Sequence, residues 1–274
     1  MSIIGCRQKN KLTKEEIVTS NMKDLFSLSN LKYDIDYTVY NIPLKTIPGY
    51  LHTLEAGFNN KETLVMIHGY GGNIGFYYQM LPFLKEHFHV YAFDMYGMGN
   101  SYRYDFNLKS HQEAIDLYTK SIEEWRQECK IDNFYLLGHS MGAYVTNYYL
   151  HKYQPNVRGV FMVSPAGLNN ISEEEQNEWR KKMKMGCIRK QMGSLLFYLI
   201  HEWQWSPFSF LTIAPTNKIL KRYFGAERLR LSEHEQEFLI RYYKSILDLK
   251  SSGERVLGLF LKYGRYSNNP FGEL

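Results

Sequence analysis

A serine inside a glycine-flanked pentapeptide is the residue of this sequence best suited to covalent chemistry. The pentapeptide Gly138-His139-Ser140-Met141-Gly142 follows the apolar run "FYLL" and precedes a helical pattern. A sharp turn from strand to helix holds its serine in a strained conformation and needs small residues where the two backbones nearly touch. We therefore predict that Ser140 is a nucleophile for acyl groups. The alternative is an ordinary strand–helix turn with a capping serine.

Acyl transfer through a serine also needs donors for the negative charge that develops on the carbonyl oxygen. The Met141 N–H begins a helix, where backbone donors are unpaired and the helix dipole is positive. The stretch His68-Gly69-Tyr70-Gly71-Gly72 follows a second apolar run, "TLVMI". A glycine-rich loop at this place can offer a second donor, and we predict the backbone N–H of Tyr70. The candidate catalytic residues are Ser140, Tyr70 and Met141, and a simple glycine turn is the alternative for the second stretch.

Other polar residues near these motifs are assigned structural roles. Asp94 opens the loop "DMYGMGNS" after the run "VYAF", and its carboxylate is expected to accept backbone N–H bonds that hold this loop. His68 is expected to orient its own loop, and His139 to pack at the turn that carries Ser140.

The elements that must position these loops alternate in type along the chain. Residues 33–56 predict a β-hairpin, and "FYYQMLPFLKEH" and residues 107–130 predict helices. Buried strands are predicted for the runs "TLVMI", "VYAF" and "FYLL", each of which precedes a glycine-containing loop. A further strand is predicted for "VRGVFMVSP", which follows the helical stretch after Gly142. Strands that alternate with helices indicate a mostly parallel sheet with helices on both faces.

The pattern changes after residue 166. No convincing strand occurs from about Gly167 to Tyr263, and two capping-box patterns, Ser172 with Glu175 and Ser232 with Glu235, open helices. We predict an N-terminal helical segment over 1–30, where Thr13 and Glu16 form a further capping box. An α/β core then covers 31–166 and a helical lid insertion 167–250, and 251–274 begin the return to the core.

Composition narrows the class of protein. The 274 residues are 44% hydrophobic, which suffices for one sizeable core. The net charge of +5 is a mild excess that does not indicate a nucleic-acid partner.

Cys6, Cys129 and Cys187 form no CxxC pattern, which argues against a disulfide scaffold and a zinc site. We expect no metal and no cofactor. No secretory leader and no membrane-spanning run is visible, so a soluble or peripheral cytoplasmic protein is expected.

The motifs "HGYGG", "DMYGMGNS" and "GHSMG" stand in the order and spacing of the α/β-hydrolase fold, which the chain resembles over roughly residues 33–272. The segments "SPFSFLTIAP" and "SSGERVLGLFLKYGRYSNNPF" look like one branch of that superfamily. The branch contains lysophosphatidic-acid acyltransferase-like proteins, the N-acyl-phosphatidylethanolamine phospholipase and mitochondrial cardiolipin-specific phospholipases. One branch relative, a lipid-droplet co-activator, has asparagine at the nucleophile position. The retention of Ser140 here favours a hydrolytic lineage.

The partners that a serine nucleophile requires are not evident. After Ser140 the only aspartate is Asp248, and the three histidines all precede it: His151, His201 and His234. In the family, two further strands after the "SGE…YG" segment carry the catalytic acid and then the histidine. The resemblance therefore implies a C-terminally truncated member with its last core strands missing. The strand "VRGVFMVS" would then be an open, apolar sheet edge, and the chain is expected to fold poorly or to aggregate.

The resemblance implies a serine hydrolase that acts on phospholipid or other acyl-lipid esters or amides. It also implies lysophosphatidic acid acyltransferase activity in phosphatidic acid and lipid homeostasis. Two alternatives stay open. One is a catalytically incomplete lipid-binding or regulatory protein that lacks the acid and histidine. The other is a different hydrolase activity, such as a peptidase or thioesterase.

A lipid surface is the expected partner of the lid. Aromatic rings beside cations suit a membrane interface, and the insertion contains both: Trp179, Phe197, Trp203, Trp205, Phe208, Phe210, Arg180, Lys181, Lys182, Lys184, Arg189 and Lys190. A packed lid core and a solvated helix face are the alternatives. We expect a cytoplasmic protein that is peripheral on membranes or lipid droplets, and the branch leaves a mitochondrial location open.

Overall fold

The computed structural model describes residues 12–167, 199–200, 216–225 and 229–262, with single positions at 174, 178, 206, 266 and 267. The strands are β1 (Tyr37–Pro43), β2 (Tyr50–Ala56), β3 (Thr63–Ile67), β4 (His89–Phe93), β5 (Phe134–His139), β6 (Val157–Val163), β7 (Leu261–Lys262) and β8 (Tyr266–Ser267). The helices are α1 (Lys14–Ser27), α2 (Leu81–His87), α3 (His111–Glu128), α4 (Met141–Tyr153), α5 (Thr216–Phe224), α6 (Glu233–Leu247) and α7 (Leu257–Phe260).

Six strands form one sheet in the order β1-β2-β4-β3-β5-β6. The hairpin of β1 and β2 is antiparallel and joins β4 in the antiparallel sense. The pairs β3–β4, β3–β5 and β5–β6 are all parallel. The mostly parallel α/β sheet predicted from the alternation of patterns is confirmed. The loops after β3, β4 and β5 meet at one edge of the sheet because parallel strands end on the same side.

Side chains of the central strands alternate between two hydrophobic clusters. Val65 and Ile67 pack on the side of α3 and α4, in the same cluster as Trp125. Leu64 and Met66 pack on the other side, in the cluster that contains residues of α1, α5 and α6. This two-residue period places a layer of helices on each face of the sheet, as the sequence predicted.

Two of the predicted capping boxes are present. At α1 the Glu16 N–H donates to Thr13 Oγ1 at 3.2 Å, and the Thr13 N–H donates to Glu16 Oε2 at 2.7 Å. Ser232 and Glu235 form the same reciprocal pair at the start of α6. Each box satisfies two donors that the first turn would leave unpaired.

The structure corrects two expectations. The single helix predicted over "FYYQMLPFLKEH" is divided into a 3-10 turn, Ile74–Tyr77, and α2, because Pro82 stands in the first turn of a new helix. The absence of strands up to about Tyr263 is also wrong, since β7 pairs with β8 in a short antiparallel ladder. Two-residue strands are too short to produce a periodic signal in the sequence.

Several predictions lie outside the described residues. These are the capping box at Ser172, the aromatic and basic lid residues between 179 and 210, and the residues Cys6, Cys187 and His201. In the part of the chain that the structure describes, no helix is long and apolar enough to cross a bilayer.

Candidate active site

Ser140 occupies the turn between β5 and α4 with φ 51° and ψ −115°. A positive φ is strained for any residue other than glycine. The Ser140 N–H donates to the carbonyl oxygen of Val163 at 2.9 Å, and the Ser140 carbonyl oxygen accepts from the N–H groups of Tyr144 and Ala166, each at 3.1 Å. Backbone hydrogen bonds therefore hold Ser140 in the conformation that the strand–turn–helix pattern predicted.

The two glycines of the pentapeptide are required by space. A Cβ atom on Gly138 would lie 2.7 Å from the Cα atom of Ala143, in the helix that follows. A Cβ atom on Gly142 would lie 2.4 Å from the carbonyl oxygen of His68. Both distances are shorter than non-bonded contacts allow, so only glycine fits where strand and helix approach.

The glycine-rich loop after β3 lies directly against Ser140. A Cβ atom on Gly69 would be 3.0 Å from Ser140 Cβ, and the loop is closed by a hydrogen bond from the Gly72 N–H to the Gly69 carbonyl oxygen at 2.9 Å. Met141 is the first residue of α4, where N–H groups have no partner within the helix. The structure thus brings Ser140, Met141 and the loop that contains Tyr70 together, and the oxyanion role of the two N–H groups stays a prediction.

His68 orients this loop, as expected. Its ring is buried, its Nδ1 lies 2.8 Å from the Gly69 carbonyl oxygen, and its Nε2 accepts the N–H of Met95 at 2.9 Å. An accepting Nε2 requires the proton to be on Nδ1, which then donates to Gly69. Burial lowers the pKa of His68 to about 4, so the ring is neutral at pH 7 and links the loops after β3 and β4.

Asp94 also holds the loops after β3 and β4, through hydrogen bonds to their backbone. Its carboxylate is fully buried and accepts the N–H of Ile74 at 2.8 Å and the N–H of Asn100 at 2.7 Å. Burial raises the pKa of Asp94 to about 7, and the two backbone hydrogen bonds oppose that rise. The predicted structural role is confirmed, because both oxygens are occupied by loop backbone.

Sequence reasoning missed the pair Arg103 and Glu254, which joins the loop after β4 to the segment before α7. The two side chains form an ion pair and are about nine-tenths buried. Arg103 also donates to the Gly99 carbonyl oxygen at 2.6 Å, and the carbonyl oxygen of Glu254 accepts the Tyr70 hydroxyl at 2.7 Å. No local pattern reveals a pair separated by 151 residues. The "SSGE" segment that contains Glu254 indicated only a family resemblance.

A cavity of about 470 Å³ opens beside the loop and His139. Its walls are predominantly apolar and include Phe76, Tyr77, Ile219, Leu220, Tyr223, Leu229 and Tyr243. A smaller cavity of about 190 Å³ lies near Gly71 and Gly72, where Arg103 and Glu254 form part of the wall. The larger cavity adjoins the turn that carries Ser140 and can accept an apolar chain.

Among the described residues, no histidine nitrogen is hydrogen-bonded to the Ser140 hydroxyl. His151 is exposed on α4, and His234 is exposed in the first turn of α6 with its ring against Phe238. Neither histidine is hydrogen-bonded to Ser140, and the described histidines, cysteines and carboxylates form no group that could hold a metal ion.

The sheet order and the strained serine turn define a class of protein. The family model described as "alpha/beta hydrolase fold" matches residues 62–186, which contain the glycine-rich loop, Asp94 and Ser140. The chain is therefore an α/β-hydrolase-fold protein.

Two curated relatives show what the chain is similar to. It is 33% identical to a 1-acylglycerol-3-phosphate O-acyltransferase of Arabidopsis thaliana over 81% of its own length and 54% of that protein. It is 35% identical to a (lyso)-N-acylphosphatidylethanolamine lipase of Homo sapiens over 42% of its own length and 33% of that protein. The chain spans about half the length of the curated plant relatives that it matches. The predicted resemblance to the lysophosphatidic-acid acyltransferase and N-acyl-phosphatidylethanolamine branch is confirmed.

A solved structure agrees with the fold. The epoxide hydrolase CorEH superposes with a TM-score of 0.57 at 16% identity, over 80% of this chain and 71% of that one. At this identity the likeness supports the fold alone.

Proposed function

We propose that the protein is a serine hydrolase that acts on acyl esters or amides of lipids, with acyl transfer to a lysophospholipid as a variant of the same reaction. The observation that carries the proposal is the position of Ser140. Its strained turn lies beside the glycine-rich loop and next to an apolar cavity of about 470 Å³.

The chemistry follows from these groups. Ser140 Oγ attacks the acyl carbonyl carbon, and the N–H groups of Met141 and Tyr70 donate to the oxygen that becomes negative. The bond from the carbonyl carbon to the alcohol or amine then breaks, the leaving group takes up the proton that Ser140 Oγ loses, and the acyl group stays on Ser140. Transfer of the acyl group to water gives a fatty acid, and transfer to the hydroxyl of lysophosphatidic acid gives phosphatidic acid.

The substrate class rests on the cavity and on the relatives. An apolar cavity beside the nucleophile favours a long acyl chain over a peptide. The plant and human relatives carry the names of an enzyme that acylates a lysophospholipid and of a lipid lipase. We further propose that the protein works in the cytoplasm at the surface of a membrane or lipid droplet, and that residues 167–250 form a lid.

Labelling with a fluorophosphonate probe tests the nucleophile. We expect labelling of the wild-type protein and none of Ser140→Ala, because the probe reacts only with an activated serine. Release of fatty acid from phospholipid, and formation of phosphatidic acid when lysophosphatidic acid is added, then separate hydrolysis from transfer. A wild-type protein that neither labels nor releases fatty acid would refute the proposal.

A non-catalytic lipid-binding or regulatory role is the second candidate. It is favoured by the observation that, among the described residues, no histidine is hydrogen-bonded to the Ser140 hydroxyl. A serine hydroxyl without a base forms almost no alkoxide at neutral pH. Lipid binding that is equal in the wild type and in Ser140→Ala, with no labelling of either, would identify this role.

A further inference from the structure

Helix α5 exposes apolar side chains beside the cavity of about 470 Å³ next to His139. Ile219 is 37% exposed and Tyr223 52% exposed, and both line the cavity together with Leu229, which is 37% exposed. On the same helix Leu220 and Phe224 are buried against the core. The helix is therefore anchored by one apolar stripe and presents a second apolar stripe to solvent.

A cationic stripe borders the exposed apolar one. Successive residues of an α-helix turn by about 100°, so Lys218 and Arg222 form an i, i+4 pair beside Ile219 and Tyr223. Lys221 and Arg230 are also exposed. Residues 216–231 contain five cations and one acidic residue. Within the described part of the chain, the four exposed cations form no ion pair.

We infer that this α5 surface, formed by Lys218, Ile219, Arg222, Tyr223, Leu229 and Arg230, docks on an anionic lipid surface and turns the cavity toward it. Single exposed apolar residues are common on proteins and need no partner. A contiguous apolar stripe flanked by unpaired cations fits an interface, where apolar groups enter the acyl boundary and cations meet anionic headgroups.

The inference rests on the proposed function in one respect. A lipid substrate that leaves a membrane needs a short apolar route to Ser140, and Ile219 and Tyr223 belong both to the α5 surface and to the cavity wall. Docking through this surface places the route at the membrane. Anionic lipid is chosen over another protein as the partner because the exposed cations Lys218, Arg222 and Arg230 stand beside apolar side chains that also line the cavity.

Vesicle binding of the full chain tests the inference in a Ser140→Ala background, so that turnover does not change the vesicles. We expect about tenfold or stronger binding to phosphatidylcholine vesicles that contain phosphatidylglycerol than to phosphatidylcholine alone, and weaker binding at high salt. K218Q/R222Q should lose about tenfold on anionic vesicles. I219S/Y223S should lose binding to both kinds of vesicle.

Matched controls use residues far from α5 in the sequence. K61Q/K109Q removes two exposed cations and Phe83→Ser removes a side chain that is 65% exposed. Both controls should bind vesicles like the parent, and circular dichroism and thermal melting confirm that each variant is folded. Binding that is independent of lipid charge, or that the controls reduce as much as the α5 variants, would overturn the inference.

Hydrolysis of a soluble short-chain ester by the protein with Ser140 intact separates this inference from the proposed function. If vesicle binding depends on α5 and the ester is not hydrolysed, docking stands and the enzymatic proposal fails. If the ester is hydrolysed equally by wild type and K218Q/R222Q but anionic vesicles are not bound, the enzymatic proposal stands and docking is wrong.

Discussion

Ser140 illustrates how a single strained residue is held by its surroundings. A non-glycine residue with positive φ costs of order 1–3 kcal/mol, and such a conformation persists only when the surrounding structure determines it. Here the backbone of Ser140 is bonded to Val163 on the neighbouring strand and to Tyr144 one turn into α4. The backbone of Ser140 is consequently held by groups that take no part in the proposed reaction.

Gly142→Ala tests the close approach of α4 to the end of β3. The new methyl group would lie 2.4 Å from the His68 carbonyl oxygen and 2.6 Å from that of Ile67. Because both are backbone atoms, α4 must shift. We expect a loss of about 2 kcal/mol or more in the free energy of unfolding, together with loss of fluorophosphonate labelling, measured by urea unfolding and gel fluorescence.

The matched control is Gly159→Ala in β6. Its methyl group would meet only the side chain of Tyr135, at 3.2 Å, so we expect a change below about 1 kcal/mol and normal labelling. Equal stability and labelling of the two variants would show that the backbones at Gly142 are not in contact.

His68 makes the stability of the fold sensitive to acid. Its pKa is about 4 in the folded protein against an ordinary value of 6.5, so the unfolded chain takes up the proton first. The stabilising contribution is complete above pH 6.5 and is lost as the pH falls toward 4, by about 3 kcal/mol in total. We expect His68→Gln to show a smaller loss, by about 2 kcal/mol, between pH 6.5 and 4.5 in urea unfolding.

The buried side chains of His52 and Asp94 also have shifted pKa values. Both are present in the wild type and in the His68→Gln variant, so they do not affect the difference between the two pH profiles. The pKa of His52 is also lowered by burial, to about 4. Asp94 acts in the opposite sense, because its raised pKa gives stability at low pH that is lost as the pH rises through about 7. Parallel pH profiles for wild type and His68→Gln would mean that His68 takes up its proton as readily in the folded protein as in the unfolded chain.

At the scale of elements, the segment before α7 clamps the loop after β4. The Gly253 N–H donates to the Gly97 carbonyl oxygen at 2.9 Å, and Ser252 Oγ donates to the Tyr104 carbonyl oxygen at 2.7 Å. A Cβ atom on Gly253 would lie 2.6 Å from the Tyr96 carbonyl oxygen. The clamp reaches the candidate active site because Tyr70 donates to the carbonyl oxygen of Glu254.

Glu254→Gln tests this clamp. The change leaves the Arg103 guanidinium buried without its carboxylate, and we expect a cost of about 3 kcal/mol in the free energy of unfolding. A double variant in which both residues are replaced by methionine should cost less than Glu254→Gln alone, because no charge then stays buried. Thermal and urea unfolding measure both effects.

A second ion pair between the same two segments provides the control. Lys250 and Asp105 are 56% and 92% exposed, and an exposed pair contributes little. Asp105→Asn should therefore change the stability by less than about 0.5 kcal/mol. A cost as large as that of Glu254→Gln would show that burial does not distinguish the two pairs.

At the scale of the whole molecule, β6 is the last of the described strands on its side of the sheet. β6 pairs only with β5 in the sheet described here, and Val160, Phe161 and Val163 are 39 to 49% exposed. Among the described residues, β6 therefore has the position in which the sequence predicted an open apolar edge. Unpaired backbone groups beside exposed apolar side chains favour pairing with another chain.

We expect the wild-type protein to self-associate as its concentration rises. Phe161→Lys should raise the monomer fraction because a charge on the edge opposes strand pairing, as measured by size-exclusion chromatography with light scattering. Phe83→Lys on α2, where the side chain is 65% exposed, should leave the association unchanged. A wild-type protein that is monomeric at all concentrations would contradict the prediction.

The local sequence determined the elements and the turn that carries Ser140. The patterns around Gly138 and Gly142 predicted a strand, a tight turn and a helix because those constraints act between neighbours in the chain. Thr13 and Ser232 predicted helix starts for the same reason. The loop functions of His68 and Asp94 followed from their place directly after buried strands.

Only the tertiary structure decided which distant groups meet. The pairing of Arg103 with Glu254, the neutral state of His68 and the three stripes of α5 depend on contacts or burial between separate elements. A sequence pattern reports forces over a few residues. Burial and long-range pairing depend on how the helices pack on the sheet, and the pattern does not contain that information.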